Sequence, residues 1–312
     1  MGVVGWTRSR VDQRVAGVLL VLCSAICFGT AGILAKFAFA AGLSVSSTLA
    51  LRYSLAGVAV WVVVLGRHLA QSARSETLGE GVSSLRLRGR SLLAAVGIGI
   101  GGYGLANWLY FWGLQSLTAG RAAIVFYTYP LFVLVLSTSL LSERLTTRLG
   151  LSLPVGVSGV VLLAGIGGDP ATIDPVAVAI VAGAALAYAI HITGSRAVLG
   201  TVDPVIFTAH LLPTMSVAYW GAGFALGRLQ FPETTSSWSV ILLLAIVATA
   251  IPTLALCAGL TRIEANRASV LGIAEPLAAV VLGAVVLSEP VTATTVLGGL
   301  LVVGSAYLSQ SE

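Results

Sequence analysis

Charged side chains are scarce in this sequence. Of its 312 residues, 17 are Lys or Arg and 12 are Asp or Glu, so charged residues make up 9% of the chain. A soluble protein carries roughly 25% charged residues, which its water-exposed surface requires. With 57% hydrophobic residues and a mean hydropathy of +0.99, the composition excludes a soluble enzyme, a secreted domain and a disordered chain. It predicts an integral membrane protein.

The sequence also lacks the usual signs of disulfides, metal sites and nucleotide sites. Cys23, Cys27 and Cys257 all lie in apolar runs, and we interpret them as small packing residues without metal-ligand neighbours. There is no GxxxxGK[ST] phosphate-binding loop. We therefore predict no metal, no cofactor and no ATP-driven step. The net charge of +5 is attributed to arginines in loops, and no nucleic-acid partner is expected.

Long apolar runs predict an all-α membrane protein with ten transmembrane helices. A helix needs about 20 apolar residues to cross a bilayer. Two of the predicted spans, 44–66 and 268–288, contain one charge each. The other eight are free of charge: 15–35, 91–120, 122–142, 149–168, 175–195, 204–227, 234–261 and 290–311.

Basic residues in the connecting segments predict the orientation. With the N-terminus inside, thirteen arginines fall on inner segments, and only Lys36, Arg121 and Arg228 fall on outer ones. Because positively charged loops stay in the cytoplasm, we predict a multi-pass protein of the plasma or inner membrane with both termini cytoplasmic. The segment 67–90, which is rich in Ser, Gly and Arg, is predicted to be a cytoplasmic loop.

Two parts of the chain match each other at a spacing of 146 residues. The matched pairs are Gly113-Leu114 with Gly259-Leu260, Arg121-Ala122 with Arg267-Ala268, Pro130-Leu131 with Pro276-Leu277, and Leu141-Ser142-Glu143 with Leu287-Ser288-Glu289. A weaker match at 160 residues pairs Phe28 with Tyr188 and Lys36 with Arg196. We predict two five-helix repeats, 15–165 and 175–309, with opposite topology because five is an odd number. Inverted repeats are typical of secondary transporters.

The matched segments also resemble a known family. Each has a helix followed by a short turn, small residues, a mid-helix proline and a closing Ser-Glu, in 107–145 and again in 255–291. This pattern resembles the EamA-type branch of the drug/metabolite transporter superfamily over about residues 15–308. The resemblance implies a ten-helix transporter that moves metabolites or toxic compounds outward without ATP. Ser142 and Ser288 stand where family members often have Gly, and we expect little from that change.

Two charges inside predicted spans are candidates for substrate binding. Arg52 comes eight residues after Ser44, and Glu275 comes seven residues after Ala268, which places each roughly 10–12 Å from a helix end. In a core about 30 Å thick, both lie near the midplane. A charge at this depth costs about 2.5–3.5 kcal/mol on insertion scales. We expect Arg52 to bind an anionic group and Glu275 an amine or a proton, with a buried structural ion pair as the alternative.

Two prolines mark helix breaks in the same region. Pro130 follows Tyr129, and Pro276 follows Glu275 at the matching position. Proline lacks a backbone donor and loosens the helix around it, so both are interpreted as helix breaks or hinges. Interrupted helices in equivalent positions point to the binding site of a transporter. Tyr127 and Tyr129 are accordingly predicted to line the cavity.

Six further polar residues, five inside the spans and Lys36 near the outer end of its helix, complete the candidate set: Asn107, Tyr103, Tyr110, Lys36, His191 and His210. The first three have helical spacing and predict a polar stripe. The lysine is a basic residue of the kind that the family often carries there, with snorkelling toward the interface as the alternative. The two histidines are candidates for a proton relay, with plain packing as the alternative.

These observations predict a secondary transporter that exports small metabolites by alternating access. Opposite charges at the midplane favour a zwitterion such as an amino acid, whereas aromatic walls would equally suit a hydrophobic drug or toxin. The energy source is either a proton gradient or none. The expected partners are a small-molecule substrate, the lipid bilayer and, if coupled, protons. The protein is expected to be a monomer or a homodimer.

A remote alternative is an intramembrane serine protease. The segment 156–159 matches GxSG, and Ser158 would need His191 or His210 as its base. The matching segment 302–305 is also rich in small residues, which favours helix packing at both places. We therefore predict that the protein has no catalytic residues and is not an enzyme.

Overall fold

A computed structural model describes residues 3–72, 85–113, 116–117, 119–163, 174–287 and 291–310. Within these residues the structure is helical and has no strand. The described residues form ten helices, α1 to α10. The predicted all-α fold is therefore confirmed.

The first half contains five helices, three of which are interrupted. They are α1 (Val3–Gly29 and Ala31–Ala40), α2 (Val45–Ser72), α3 (Gly89–Gly97, a π-helical segment Ile98–Gly104, and Leu105–Gly113), α4 (Ala119–Phe126 and Tyr129–Leu140) and α5 (Thr147–Leu163). Both α2 and α3 thus extend into the segment 67–90 that the sequence predicts as a loop, and residues 73–84 lie outside the described part.

The second half repeats two of these three interruptions, and its first helix is continuous. Its helices are α6 (Pro175–Leu199), α7 (Pro204–Ala225), α8 (Thr235–Ala245, a π-helical segment Ile246–Ala250, and Ile251–Leu260), α9 (Ala265–Gly272 and Ala274–Leu287) and α10 (Ala293–Gln310). Each half has a π segment in its third helix and a break in its fourth. The first segments of α4 and α9 begin and end 146 residues apart. The opposite membrane orientation of the two halves stays a prediction.

Local sequence signals explain where two of these helices begin. Asp174 precedes Pro175, and its side chain accepts a hydrogen bond from the Val176 amide at 2.9 Å. Asp203 precedes Pro204 and accepts bonds from two amides in the same way. An Asp cap satisfies amides that have no partner in the first turn, and proline already has the backbone angle that this turn needs.

Most of the helices meet the requirements for crossing a membrane. In the described residues, eight helices are long and apolar enough, namely all except α5 and α7. Helix α5 is apolar but has only 17 residues. The protein is thus a multi-pass membrane protein, with a number of spans close to the ten that the sequence predicts.

The most extensive helix contacts join the two halves of the chain. They pair α5 with α10, α2 with α7, α1 with α8, and α3 with α6. Two glycines let α5 and α10 approach closely: a Cβ on Gly159 would lie 2.8 Å from the Gly298 carbonyl oxygen, and a Cβ on Gly298 would lie 2.9 Å from that of Gly159. Small residues at such crossings allow helix backbones to touch in the membrane.

We expect Gly298→Ala to destabilise the folded protein, because its new methyl group would press on the α5 backbone. The cost of such overpacking is about 1–3 kcal/mol. Thermal unfolding in detergent, followed by size-exclusion chromatography, would measure it. Gly304→Ala on the same helix is the matched control, since a Cβ there meets nothing within 4 Å. Equal losses in both variants would contradict this account of the helix contact.

Candidate functional site

A cavity of about 510 Å³ lies among α1, α2, α3, α4, α5, α6 and α9. Its wall includes Phe39 near the end of α1 and Leu163, the last residue of α5. On α9 the wall extends from Glu275 at the helix break to Gly283. Each of these stretches runs toward the helix end that the sequence predicts to be outer. The cavity therefore occupies that half of the molecule.

Arg52 reaches the cavity from α2 and is held by the π segment of α8. The residue is only 5% exposed. Its Nε donates a hydrogen bond to Thr249 Oγ1 at 2.5 Å, and its Nη2 donates to the Ala248 carbonyl oxygen at 2.9 Å. The guanidinium carbon lies 5.3 Å from the centre of the Tyr53 ring, a cation–π distance. The other N–H donors of Arg52 have no protein partner within the described residues.

Glu275 enters the cavity at the break in α9. It lies in the first turn of the segment Ala274–Leu287. The start of a helix carries a partial positive charge, which favours a carboxylate there. Four tyrosines lie within electrostatic range of this carboxyl group: Tyr110, Tyr127, Tyr129 and Tyr188. The break thus gives the partly buried acidic group a polar setting inside the protein.

Arg52 and Glu275 line one cavity without pairing with each other. Among the ion pairs of the described residues, defined by an N–O distance of up to 4.0 Å, this pair does not occur. A series of ring contacts connects their surroundings instead: Tyr103 lies 5.9 Å from Tyr53 beside Arg52 and 5.9 Å from Tyr188 near Glu275. The two opposite charges are therefore separate groups on the cavity wall.

Six other predicted site residues line the same cavity: Tyr103, Asn107, Tyr110, Tyr127, Lys36 and Pro276. The Asn107 amide donates to the Tyr103 carbonyl oxygen at 2.8 Å within its own helix. Tyr110 packs edge-on against Phe126, with 5.1 Å between the ring centres. The structure thus gathers most of the predicted set around one space.

Tyr129 and Pro130 lie beside the cavity and are not part of its wall. The Tyr129 hydroxyl donates to the Ser269 carbonyl oxygen at 3.0 Å, which links the break in α4 to the first segment of α9. Gly272 leaves room for this contact, because a Cβ there would lie 2.1 Å from the hydroxyl oxygen. Pro130 is buried at the start of the second segment of α4. This contact joins the two broken helices near their breaks.

His191 and His210 also lie outside the cavity wall. His191 is buried, stacks on Tyr103 with 4.6 Å between ring centres, and places its Nδ1 3.4 Å from the Ser195 hydroxyl. The Nδ1 of His210 lies 2.8 Å from the Ile206 carbonyl oxygen of its own helix. These are the contacts of packing residues, and a proton-relay role for either residue stays a prediction.

The GxSG segment packs against α10. The Ser158 hydroxyl donates to the Pro154 carbonyl oxygen at 2.7 Å, and no histidine contacts it in the described part of the chain. A Cβ on Gly156 would lie 2.6 Å from the Ser305 hydroxyl oxygen. Small residues at 156–159 and 302–305 therefore serve helix packing, as their match in the sequence suggests. The described residues also contain no group of three or more His, Cys, Asp or Glu that could hold a metal.

Sequence reasoning missed Phe28 and Tyr188 as wall residues and Thr249 as the partner of Arg52. Phe28 and Tyr188 match each other at the spacing of 160 residues, and both line the cavity. Because both repeats carry an aromatic residue at this position inside a span, the sequence match could have predicted these two wall residues. Thr249 offered none, because it meets Arg52 only through the fold, 197 residues along the chain.

Comparisons with known proteins bear on the family and the fold of this chain. The model of the EamA-like transporter family matches residues 15–165 and 175–310. An uncharacterized transporter of Archaeoglobus fulgidus is 26% identical over 72% of this chain and 79% of its own length, and the uncharacterized transporter YcbK of Bacillus subtilis is 24% identical over 93% and 91%. A solved crystal structure aligns with a TM-score of 0.77 at 21% identity, covering 95% of this chain and 96% of its own, which shows a shared fold.

The helices, the charged cavity and the relatives together define a multi-pass membrane transporter, and not an enzyme. Such a protein has a lipid environment and a small-molecule substrate. The chain belongs to the EamA-like transporter family, as the matches to both of its halves show.

The opening of the cavity can be tested by labelling. In a variant without the three native cysteines, Ala279→Cys on the cavity wall should react with a membrane-impermeant maleimide applied to intact cells. Leu256→Cys is the control, because Leu256 is buried outside the cavity, and it should react about tenfold more slowly since access limits thiol reactivity. Equal rates, measured by in-gel fluorescence, would contradict an open outer cavity.

Proposed function

We propose that this protein exports small zwitterionic metabolites, such as amino acids, by alternating access and in exchange for protons. It acts in the plasma or inner membrane with both termini in the cytoplasm. Arg52 binds the carboxylate of the substrate, and Glu275 binds its ammonium group. On the return step Glu275 binds a proton instead.

The observation that carries this proposal is that Arg52 and Glu275 line one cavity and, among the described residues, form no ion pair with each other. A guanidinium group binds a carboxylate through two parallel hydrogen bonds, and a carboxylate binds an ammonium group through charge-assisted bonds. A zwitterion satisfies both at once. Since each unpaired charge is costly in the membrane, such a substrate is favoured over one that leaves either charge alone.

Proton exchange follows from one acidic group serving two ligands. Within the described residues, Glu275 is the only acidic side chain on the cavity wall. An ammonium group and a proton compete for it, so the two cannot be bound there together. An ionised Glu275 without a bound cation or proton is disfavoured in the membrane. The transporter in that form is therefore expected to change conformation less readily. Release of substrate is thereby linked to uptake of a proton.

A contact at the opposite end of the molecule supports alternating access. Glu143, just after α4, accepts hydrogen bonds from the backbone amides of Ala265 at 2.8 Å and Asn266 at 3.1 Å, where α9 begins. Arg196 lies 3.8 Å from the same carboxylate. We call this arrangement the inner clamp. It closes the end predicted to be cytoplasmic while the cavity extends toward the other end.

The residue before Glu143 has an unusual backbone. Ser142 has a φ of 55°, in the left-handed region that favours glycine. A left-handed residue after a helix turns the chain sharply, and here it directs Glu143 toward α9. The position therefore suits glycine, and it gives Ser142 a small conformational cost.

Export of hydrophobic drugs or toxins is the second candidate. It is favoured by the aromatic character of the wall, which includes Phe28, Phe39, Tyr103, Tyr110, Phe111, Phe126, Tyr127 and Tyr188. Aromatic rings bind flat apolar molecules and cations through their faces. Such substrates do not need Arg52, which separates this candidate from the first.

Transport in proteoliposomes tests the two charges. We expect Arg52→Gln and Glu275→Gln each to slow the uptake of labelled neutral amino acids by about tenfold or more, because each removes a charge-assisted hydrogen bond worth about 1.5–3 kcal/mol. Glu275→Gln should also abolish accumulation driven by a pH gradient. The exposed residues Arg148 and Glu233 provide matched controls, Arg148→Gln and Glu233→Gln.

Full, gradient-driven transport by both cavity variants at wild-type protein levels would overturn the proposal. Transport of hydrophobic cations by the wild type, unaffected by Arg52→Gln, would instead favour drug export.

The inner clamp can be tested through a buried reporter. Ser269→Cys, in the first segment of α9, is fully buried in this state. Glu143→Gln removes the charge that binds the start of α9, so labelling of this cysteine from the cytoplasmic side should rise about tenfold. Glu264→Gln is the control, because that carboxylate lies just before α9 and pairs with Arg267 in the first turn of the same helix. The same labelling rate in both backgrounds would contradict a clamp.

A further inference from the structure

Helix α8 contributes no residue to the described cavity wall, yet its π segment holds the cavity arginine. The segment is Ile246–Ala250, and both groups that bind Arg52 belong to it. In a π segment the backbone bonds run from residue i to i+5, and such segments often occur at functional sites. The changed register presents the Ala248 carbonyl and the Thr249 side chain to α2.

The Thr249 hydroxyl has a fixed orientation. Thr249 is fully buried, and its Oγ1 donates to the Leu244 carbonyl oxygen at 2.7 Å, five residues earlier on the same helix. With its hydrogen committed in this way, the oxygen presents its lone pairs to Arg52 Nε at 2.5 Å. A hydroxyl has one donor and two acceptor positions, so this geometry makes Thr249 an acceptor toward the guanidinium group.

The two contacts use one particular edge of the guanidinium group. Nε and Nη2 form the side edge, and this edge binds Thr249 and Ala248. The terminal edge, formed by Nη1 and the second hydrogen of Nη2, has no protein partner among the described residues. A planar fork fixed along one edge presents the other edge in a defined direction, which is the requirement for bidentate carboxylate binding.

We propose that Thr249 is a positioning residue that sets the affinity of the transporter for the carboxylate of its substrate. It holds the side edge of Arg52 so that the terminal edge faces the cavity. This inference rests on the proposed role of Arg52 in binding an anionic group. Thr249 itself does not touch the substrate.

A matched set of variants separates positioning from plain stability. Thr249→Val keeps the shape and removes the acceptor, and Thr249→Ser restores the hydroxyl. Thr253→Val is the control: Thr253 is fully buried on the same helix, and its hydroxyl has no hydrogen-bond partner in the part of the chain that the structure describes. The same chemical change there removes no contact to Arg52.

Uptake in proteoliposomes, with a panel of radiolabelled neutral amino acids as probes, is the first measurement. For the best substrate of the panel, Thr249→Val should raise KM about tenfold and change kcat less than about twofold, since it weakens a binding contact. Thr249→Ser and Thr253→Val should stay within about twofold of the wild-type KM. A KM for Thr249→Val that equals that of Thr253→Val overturns the inference.

A second measurement does not depend on transport. Phenylglyoxal modifies accessible guanidinium groups, and mass spectrometry of the Arg52 peptide quantifies the reaction. Thr249→Val should raise the rate at Arg52 severalfold over Thr249→Ser and Thr253→Val, because the side edge is released. Equal rates in the three variants overturn the positioning role. If the wild type transports none of the amino acids, the proposed function fails, while the labelling result still decides the role of Thr249.

Discussion

Charged side chains and backbone polar groups in the membrane need polar partners in the protein or a place on a cavity wall, and the rest of this structure depends on that constraint. Interrupted helices supply the partners. The π segment of α8 holds Arg52, the break in α9 places Glu275 at the start of a helix, and the first amides of α9 bind Glu143. Deeply placed charges and irregular backbone therefore occur together. Each supplies polar partners that the other lacks in lipid.

Aromatic rings lie around both cavity charges, and the two charges do not form an ion pair with each other. Tyr53 and Tyr103 lie beside Arg52, whereas Tyr188 and Tyr129 contact each other near Glu275, with 4.9 Å between their ring centres. These rings surround both charges with groups of low polarity. Electrostatic contacts strengthen in such a medium, so a substrate that matches both charges gains more there than in solution.

Much of the fold could be predicted from the sequence, whereas the candidate site could be predicted only in part. Apolar runs indicated the helices, and the matched prolines indicated the breaks in α4 and α9. Arg52 and Glu275 stood out because charges are rare in the spans. His191 and His210 stood out for the same reason, yet they pack outside the cavity wall. Residue type and depth do not reveal which face of a helix a side chain occupies.

The sequence by itself determined the membrane class, the helices and the two charges, since these follow from hydropathy, spacing and the cost of burying charge. Only the tertiary structure decided that Arg52 and Glu275 do not pair, that Tyr188 and Phe28 complete the wall, and that Thr249 holds Arg52. Those facts depend on helix rotation and on contacts between residues far apart in the chain. The π segments of α3 and α8 set part of that rotation, and no local pattern specifies it.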